Sequence, residues 1–225
     1  MNGADLSAGY PTLYHMAEEA NWPGIQARGL LSTRALLDLY GYSGTARERL
    51  EARWRPDKVT IVGRGLPPAI LRDQKVLNPT ELAPLLRGGL TVEDWYRLIN
   101  GKVFFWAEWT RLKWLLGARA YRGQPHVVIK IETRSLMDQC AERTALTSIN
   151  SGSALRSSSG ALAPARGRDT FVPLGSFAPG RAVVEVAVEG KVDDVASVAL
   201  SAEVWITEPG GEAKMLRTVW TKPGT

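Results

Sequence analysis

The chain is predicted to be a mixed α+β fold, and three observations lead there. Short helical patterns crowd its first half and strand patterns its second. No regular strand-helix alternation and no Gly-x-Gly-x-x-Gly turn marks a doubly wound sheet. The composition, 44% hydrophobic and 23% charged over 225 residues, suits a single domain spanning 1–225 with a sizeable core.

Element by element, Leu13, Tyr14 and His15 read as the end of a short strand. Pro23 is placed to start a helix whose stripe carries Ile25, Gly29 and Leu30, and Asn21 then sits at or beside its N-cap. STRALLDLYG is helical to about Gly41, and TARERLEARWRP is a charged helix stopped at Pro56. KVTIVGRG alternates as a strand, and the stretch from LPPAIL through DWYRLINGKV reads as helical turns, with starts at Asn78 and Thr91. VFFW (103–106) is a strand, WTRLKWLLGARAY a helix, and HVVIKIET (126–133) a buried strand. Residues 148–170, rich in Ser, Gly and Arg, form a long basic loop, either functional or a tolerated insertion. AVVEVAVEG (182–190) is a strand, and a hairpin within 197–225 closes the chain.

Several function classes fall away at this level. No stretch approaches the roughly 20 apolar residues of a membrane span, and MNGADLSAGY lacks a secretory pattern, so no membrane partner and a cytoplasmic location are expected. Cys140 is the only cysteine and His15 and His126 the only histidines, outside any ligand-spaced motif, so no metal is expected. A net charge of +5 favours a polyanionic partner, although a basic, uncommitted surface would look the same.

Four features ask for a chemical role. Glu185 interrupts an apolar strand and shares a face with Val183 and Ala187, so it is paired, at a cleft lip, or on a solvated edge. Arg72 carries a forked donor set suited to phosphate or carboxylate. Phe104, Phe105 and Trp106 supply either core or a surface for stacking on a planar ring. Arg156, Arg166 and Arg168 give the long loop a charge suited to a nucleic-acid backbone. His15 and Asn21 each also have a plain structural reading, as a satisfied strand histidine and a helix cap.

In order along the chain, LYHMAEEANWPGIQARGLLST, Arg72, DWYRLINGKVFFW, HVVIKIETRSL and AVVEVAV resemble the DarT family of bacterial ADP-ribosyltransferases. The chain departs from that family at Met16–Glu19, where a second histidine is common, and at Trp22 and Trp106, where smaller or tyrosyl residues are expected. The resemblance implies a split mixed or antiparallel sheet with peripheral helices and NAD as substrate. It implies that His15, Asn21 and the aromatics 104–106 bind NAD, and that Glu185 and Arg72 are catalytic. It further implies a nucleic-acid acceptor, DNA ahead of RNA, contacted by the loop arginines, in a toxin or phage-defence setting that allows an antitoxin partner. A glycosylase or NAD glycohydrolase on the same fold, and a non-catalytic nucleic-acid-binding module, are the alternatives. The transferase reading requires His15, Asn21, Arg72 and Glu185 to line one cleft, and it fails if Glu185 lies on the face of its sheet opposite His15.

Overall fold

In the computed structural model, which describes residues 1–156 and 160–223, a capping box at Asn2 opens α1 (Gly3–Gly9), followed by β1 (Thr12–Glu18). Next come α2 (Trp22–Arg28), with Pro23 in its first turn, β2 (Leu30–Leu31), α3 (Thr33–Tyr40), capped by Ser32, and α4 (Gly44–Glu51). The hairpin β3 (Val59–Gly63) and β4 (Leu66–Leu71) precedes α5 (Pro79–Leu82) and α6 (Val92–Asn100), which start at the expected caps Asn78 and Thr91. β5 (Lys102–Trp106), α7 (Trp109–Leu116), β6 (His126–Glu132), α8 (Thr133–Cys140), β7 (Thr144–Thr147) and β8 (Val172–Pro173) follow. The chain ends with β9 (Glu185–Glu189), β10 (Lys191–Val192), α9 (Val195–Val198) and the hairpin β11 (Ala199–Thr207) and β12 (Ala213–Thr221).

Eight of these strands make one antiparallel sheet in the order β12-β11-β6-β1-β5-β9-β7-β8. Its two halves are joined thinly. β1 pairs with β6 along its whole length, from Thr12↔Glu132 to Glu18↔His126, but meets β5 only at Tyr14↔Trp106. Beyond that pair the two strands share no ladder, which leaves a fork in the middle of the sheet.

Alternation along the strands sorts the packing. Leu13, Phe105, Ile129 and Val186 join one large core that includes Leu6 of α1, Trp22 of α2, Met137 of α8 and Val195 of α9. On the opposite face Met16 and Val128 pack beneath Leu112 and Leu116 of α7, while Ala187 lies with Leu82, Trp95 and Tyr96 of α5 and α6.

Two expectations need correction, and two elements stand in stretches left without one. Residues 66–71 are a strand, not a helical turn: Arg64 and Gly65, both at positive φ (49° and 65°), make the two-residue turn that twists adjacent strands into a hairpin. The stretch after HVVIKIE continues as α8, and α1 stands where no element was expected. The strand holding Glu185 starts at that residue, three later than its apolar run, although Val184 still donates to the Thr147 carbonyl. The closing hairpin forms as expected within the described part of 197–225; residues 224 and 225, like 157–159 of the long loop, lie outside the described residues.

Gly29, in the GLLS segment, has a physical reason to be glycine. It sits at φ 81°, and a Cβ there would come within 2.1 Å of the Val192 carbonyl oxygen, so the chain turns from α2 into β2 only without a side chain.

Candidate active site

A cavity of about 1130 Å³ occupies the region where β1 and β5 part, and His15, Asn21, Arg72 and Glu185 all line it. Ordinary small-molecule pockets span roughly 300–1000 Å³, so this one has room for a ligand of dinucleotide size. Cations outnumber acids along its wall, where the acids are Glu18, Asp73 and Glu185 and the cations include Arg28, Arg72, Arg111 and Arg119. The four expected residues therefore share one cleft although they span most of the chain.

They do not share one sheet face. Tyr14, Trp106 and Glu185 are register partners, which puts their side chains on one face, and His15, next to Tyr14, falls on the other, with its ring 5.7 Å from that of Phe105. By the face criterion this placement is the outcome that goes against the transferase reading; the criterion takes the sheet to be continuous. Here the ladder stops at Tyr14↔Trp106, so the next residue of β1 borders an open fork, and a side chain of either parity can reach it.

Glu185 begins β9, paired on one side with Trp106 and on the other with Thr147, so it lies inside the sheet and not on a solvated edge. Its side chain is only 4% exposed. Burial pushes its pKa up to about 7, against the pull of two hydrogen bonds that Ser151 donates to Oε2, from N–H at 3.1 Å and from Oγ at 2.7 Å. Arg166 and Arg111 add a smaller attraction from a distance. One carboxylate oxygen is thus held and the other is left for a ligand.

His15 lies in the middle of β1 and not at its end. Its Nδ1 is 2.8 Å from the Phe104 carbonyl, and because a carbonyl only accepts, Nδ1 carries the proton. Burial holds the imidazole pKa down to about 4, so the ring is neutral near pH 7 and Nε2 is an acceptor.

Asn21 is not a helix cap. Its backbone is already helical and its side chain makes no capping bond. Instead Nδ2 donates to the Ile70 carbonyl and Oδ1 accepts from the Ile70 N–H, both at 2.8 Å, imitating a strand partner for β4. Ile70 is two residues from Arg72, so Asn21 positions the arginine. Asn21→Ala leaves two backbone groups without partners, and the urea midpoint should fall by an amount equivalent to roughly 1–3 kcal/mol; an unchanged midpoint would contradict this role.

Arg72 stands just past β4 with its guanidinium carbon 4.5 Å from the Tyr121 ring centroid. Nη1 donates to the Met16 carbonyl at 3.3 Å, while buried Nε has no hydrogen-bond partner among the described residues. Arg72 lines the cavity, and a guanidinium offers forked donors suited to an anion.

The aromatic residues divide. Phe105 is fully buried in the large core and backs His15, so its ring is not free to stack on a ligand. Phe104 leans on Phe171, with centroids 5.9 Å apart, and Trp106 is half-buried on the Glu185 face.

The described parts of the long loop are tied down. Arg166 was expected to reach nucleic acid, but it is fully buried, lies over Trp95, and donates to the carbonyls of Ser151 at 3.2 Å and Ser153 at 2.9 Å. Its backbone bridges the chain beside Leu86, with Arg166 N–H bonded to the Leu85 carbonyl. A buried cation satisfies loop carbonyls that water cannot reach, and in doing so it seats Ser151 against Glu185. Arg156 and Arg168 remain exposed, Arg156 within 3.8 Å of Glu81.

Ser151 and Arg111 escaped the reading of the sequence. Ser151 lies among small polar residues that give no sign of which one faces the glutamate, and Arg111 looked like any cation on a helix.

Fold and site together define an α+β protein with a split antiparallel sheet and a basic cleft that ends on a buried glutamate. A model for a family of unknown function, DUF7002, matches residues 11–199, a span that contains all four cleft residues, and the chain belongs to that family. No curated protein matches the chain. Among the described residues no helix is long and apolar enough to cross a membrane.

Proposed function

We propose that the chain is an ADP-ribosyltransferase that cleaves NAD and passes ADP-ribose to a nucleic-acid base. The observation that carries this reading is the convergence of His15, Asn21, Arg72 and Glu185 on one cavity, from a stretch of sequence that resembles the DarT family at those positions.

The chemistry suits the groups present. Breaking the nicotinamide glycosidic bond sends its electron pair to the nicotinamide nitrogen and leaves oxocarbenium character on the ribose. Ionised Glu185, with one oxygen held by Ser151, would hydrogen-bond a ribose hydroxyl through the other and stabilise the developing positive charge. Arg72, which lines the cavity, would hold the pyrophosphate. His15 Nε2, a neutral acceptor, would take a hydroxyl or amide hydrogen and orient the substrate. Phe104 and Trp106 would exclude the water that otherwise diverts the cation to hydrolysis.

A pH prediction tests both the role and the burial of Glu185. Its ionised form is the active one, so kcat/KM for nicotinamide release should fall about tenfold per unit below a midpoint near pH 7. Stability should run the other way. The folded pKa of about 7 exceeds the ordinary value of 4.5, so between those pH values the native state binds more protons than the unfolded chain and loses stability as pH rises. Glu185→Gln should remove roughly 3 kcal/mol of that loss, giving a variant more stable than the parent above pH 7. A pH-independent rate from 5 to 8, with no stabilisation of the variant, would refute the assignment.

A further inference from the structure

Besides Arg72, the cavity wall includes Glu18 and Tyr121, two members of a buried polar cluster that the proposed chemistry leaves unused. At its centre His126 opens β6 with no exposed surface, flanked in register by Glu18 of β1 and Trp205 of β11. Its Nε2 lies 3.3 Å from the Tyr121 carbonyl, and since a carbonyl only accepts, Nε2 carries the proton of the neutral ring. Nδ1 then turns a lone pair toward Glu18 Oε1, 3.7 Å away, and among the described residues neither atom has a hydrogen-bond partner. Two buried acceptors that face each other are costly, and one added proton between them turns the opposition into a charge-assisted hydrogen bond.

Tyr121 ties this cluster to Arg72. Its ring meets that of His126 edge-on, with centroids 5.7 Å apart, and the Arg72 guanidinium carbon lies 4.5 Å from its centroid. Among the described residues the charged groups that act on His126 are Glu18 from β1, Arg72 beyond β4 and Lys58 ahead of β3, whose Nζ donates to Glu18 Oε2 at 2.8 Å. Asp73 bears on Tyr121, and β11 offers the uncharged Trp205. Burial is the largest influence and holds the imidazole pKa below its usual 6.5; Glu18 pulls it up, and Arg72 and Lys58 push it down again. Near pH 7 the ring is therefore neutral and the two acceptors stand opposed. Repulsion between a protonated His126 and Arg72 is mutual, so an anion held by Arg72 favours the proton, and by linkage the proton favours the anion.

We propose that Glu18 and His126 are a proton-linked positioning pair for an oxyanion site at Arg72: His126 Nδ1 takes one proton from solvent, closes onto Glu18 and tightens the hold of Arg72 on the anion. Only an N–H bond forms, and the charged ring strengthens its Nε2–H bond to the Tyr121 carbonyl, which steadies the ring beside the Arg72 guanidinium. A pair that serves packing alone would be indifferent to what Arg72 binds. That the anion is the pyrophosphate of NAD rests on the proposed function, but the coupling of proton to oxyanion can be measured with neither NAD nor turnover.

His15 and His126 are the only histidines, so nuclear magnetic resonance of the imidazole nitrogens follows both in the intact chain through a titration from pH 4 to 8, with His126→Gln identifying the signals. At pH 8 the His126 ring should carry its proton on Nε2, and its midpoint should lie below 6.5. Glu18→Gln should lower that midpoint by about one unit, a tenfold change in proton affinity, and Lys58→Gln should raise it. Loss of the fold would return both variants to the ordinary midpoint, so opposite shifts report the cluster itself. Sodium sulfate, whose charge is constant over this range, should raise the midpoint by about half a unit relative to sodium chloride at equal ionic strength, equivalent to roughly threefold in sulfate affinity, and Arg72→Gln should abolish that response. A neutral ring protonated on Nδ1, a midpoint indifferent to Glu18→Gln, or equal midpoints in sulfate and chloride would overturn the inference. A sulfate response through Arg72 in a chain that releases no nicotinamide would sustain the pair while overturning the proposed function.

Discussion

Glu185→Gln is expected to slow nicotinamide release from NAD by about 100-fold or more, equivalent to roughly 3 kcal/mol of transition-state stabilisation. The amide keeps the shape of the side chain and can still accept from Ser151, whose two donors converge on Oε2. What it lacks is the negative charge that the ribosyl cation requires, and a charge that matters only as the bond breaks contributes little to ground-state binding. NAD affinity should accordingly stay within a few-fold of the parent value. Single-turnover release and equilibrium titration separate the two. Full turnover by the variant would remove Glu185 from the chemistry.

Arg166→Ala should have the largest effect on stability. A buried guanidinium that satisfies the Ser151 and Ser153 carbonyls and packs on Trp95 leaves both unpaired carbonyls and a void when removed. The cost should be roughly 3 kcal/mol, seen as a fall in melting temperature on the order of 10 °C. Activity should fall as well, because Ser151 would lose the anchor that holds it against Glu185. Arg168→Ala, at an exposed position, should leave the melting temperature within a degree or two. Equal stability of Arg166→Ala and the parent would mean that the loop is held by other contacts. The contrast also separates an arginine that organises the site from those that face solvent.

Much of the fold was legible because periodicity reports burial. HVVIKIE alternates too little to be anything but a covered strand, and the caps at Asn78 and Thr91 announce their helices through side chains that bond the first free N–H groups. The β3–β4 hairpin was missed because two prolines and a short apolar run weaken the strand signal of LPPAIL, while the Arg64–Gly65 turn that settles it depends on backbone dihedrals that residue type only suggests. The site was legible in its members and not in their contacts. Glu185 stood out as a charge within valines, but the same reasoning assigned Asn21 to a cap and Arg166 to a nucleic-acid backbone. Both residues bind backbone carbonyls far away in sequence, at Ile70 and Ser151, and no local pattern encodes such a partner.

The most direct measurement is a crystal structure of the Glu185→Gln chain soaked with NAD, the substitution slowing turnover enough to trap the substrate. The account predicts the dinucleotide in the fork between β1 and β5, its nicotinamide ribose within hydrogen-bond reach of residue 185, its pyrophosphate against Arg72 and a hydroxyl or amide hydrogen on His15 Nε2. A fork that remains empty at saturating NAD, or a dinucleotide bound with its nicotinamide ribose away from residue 185, would contradict it.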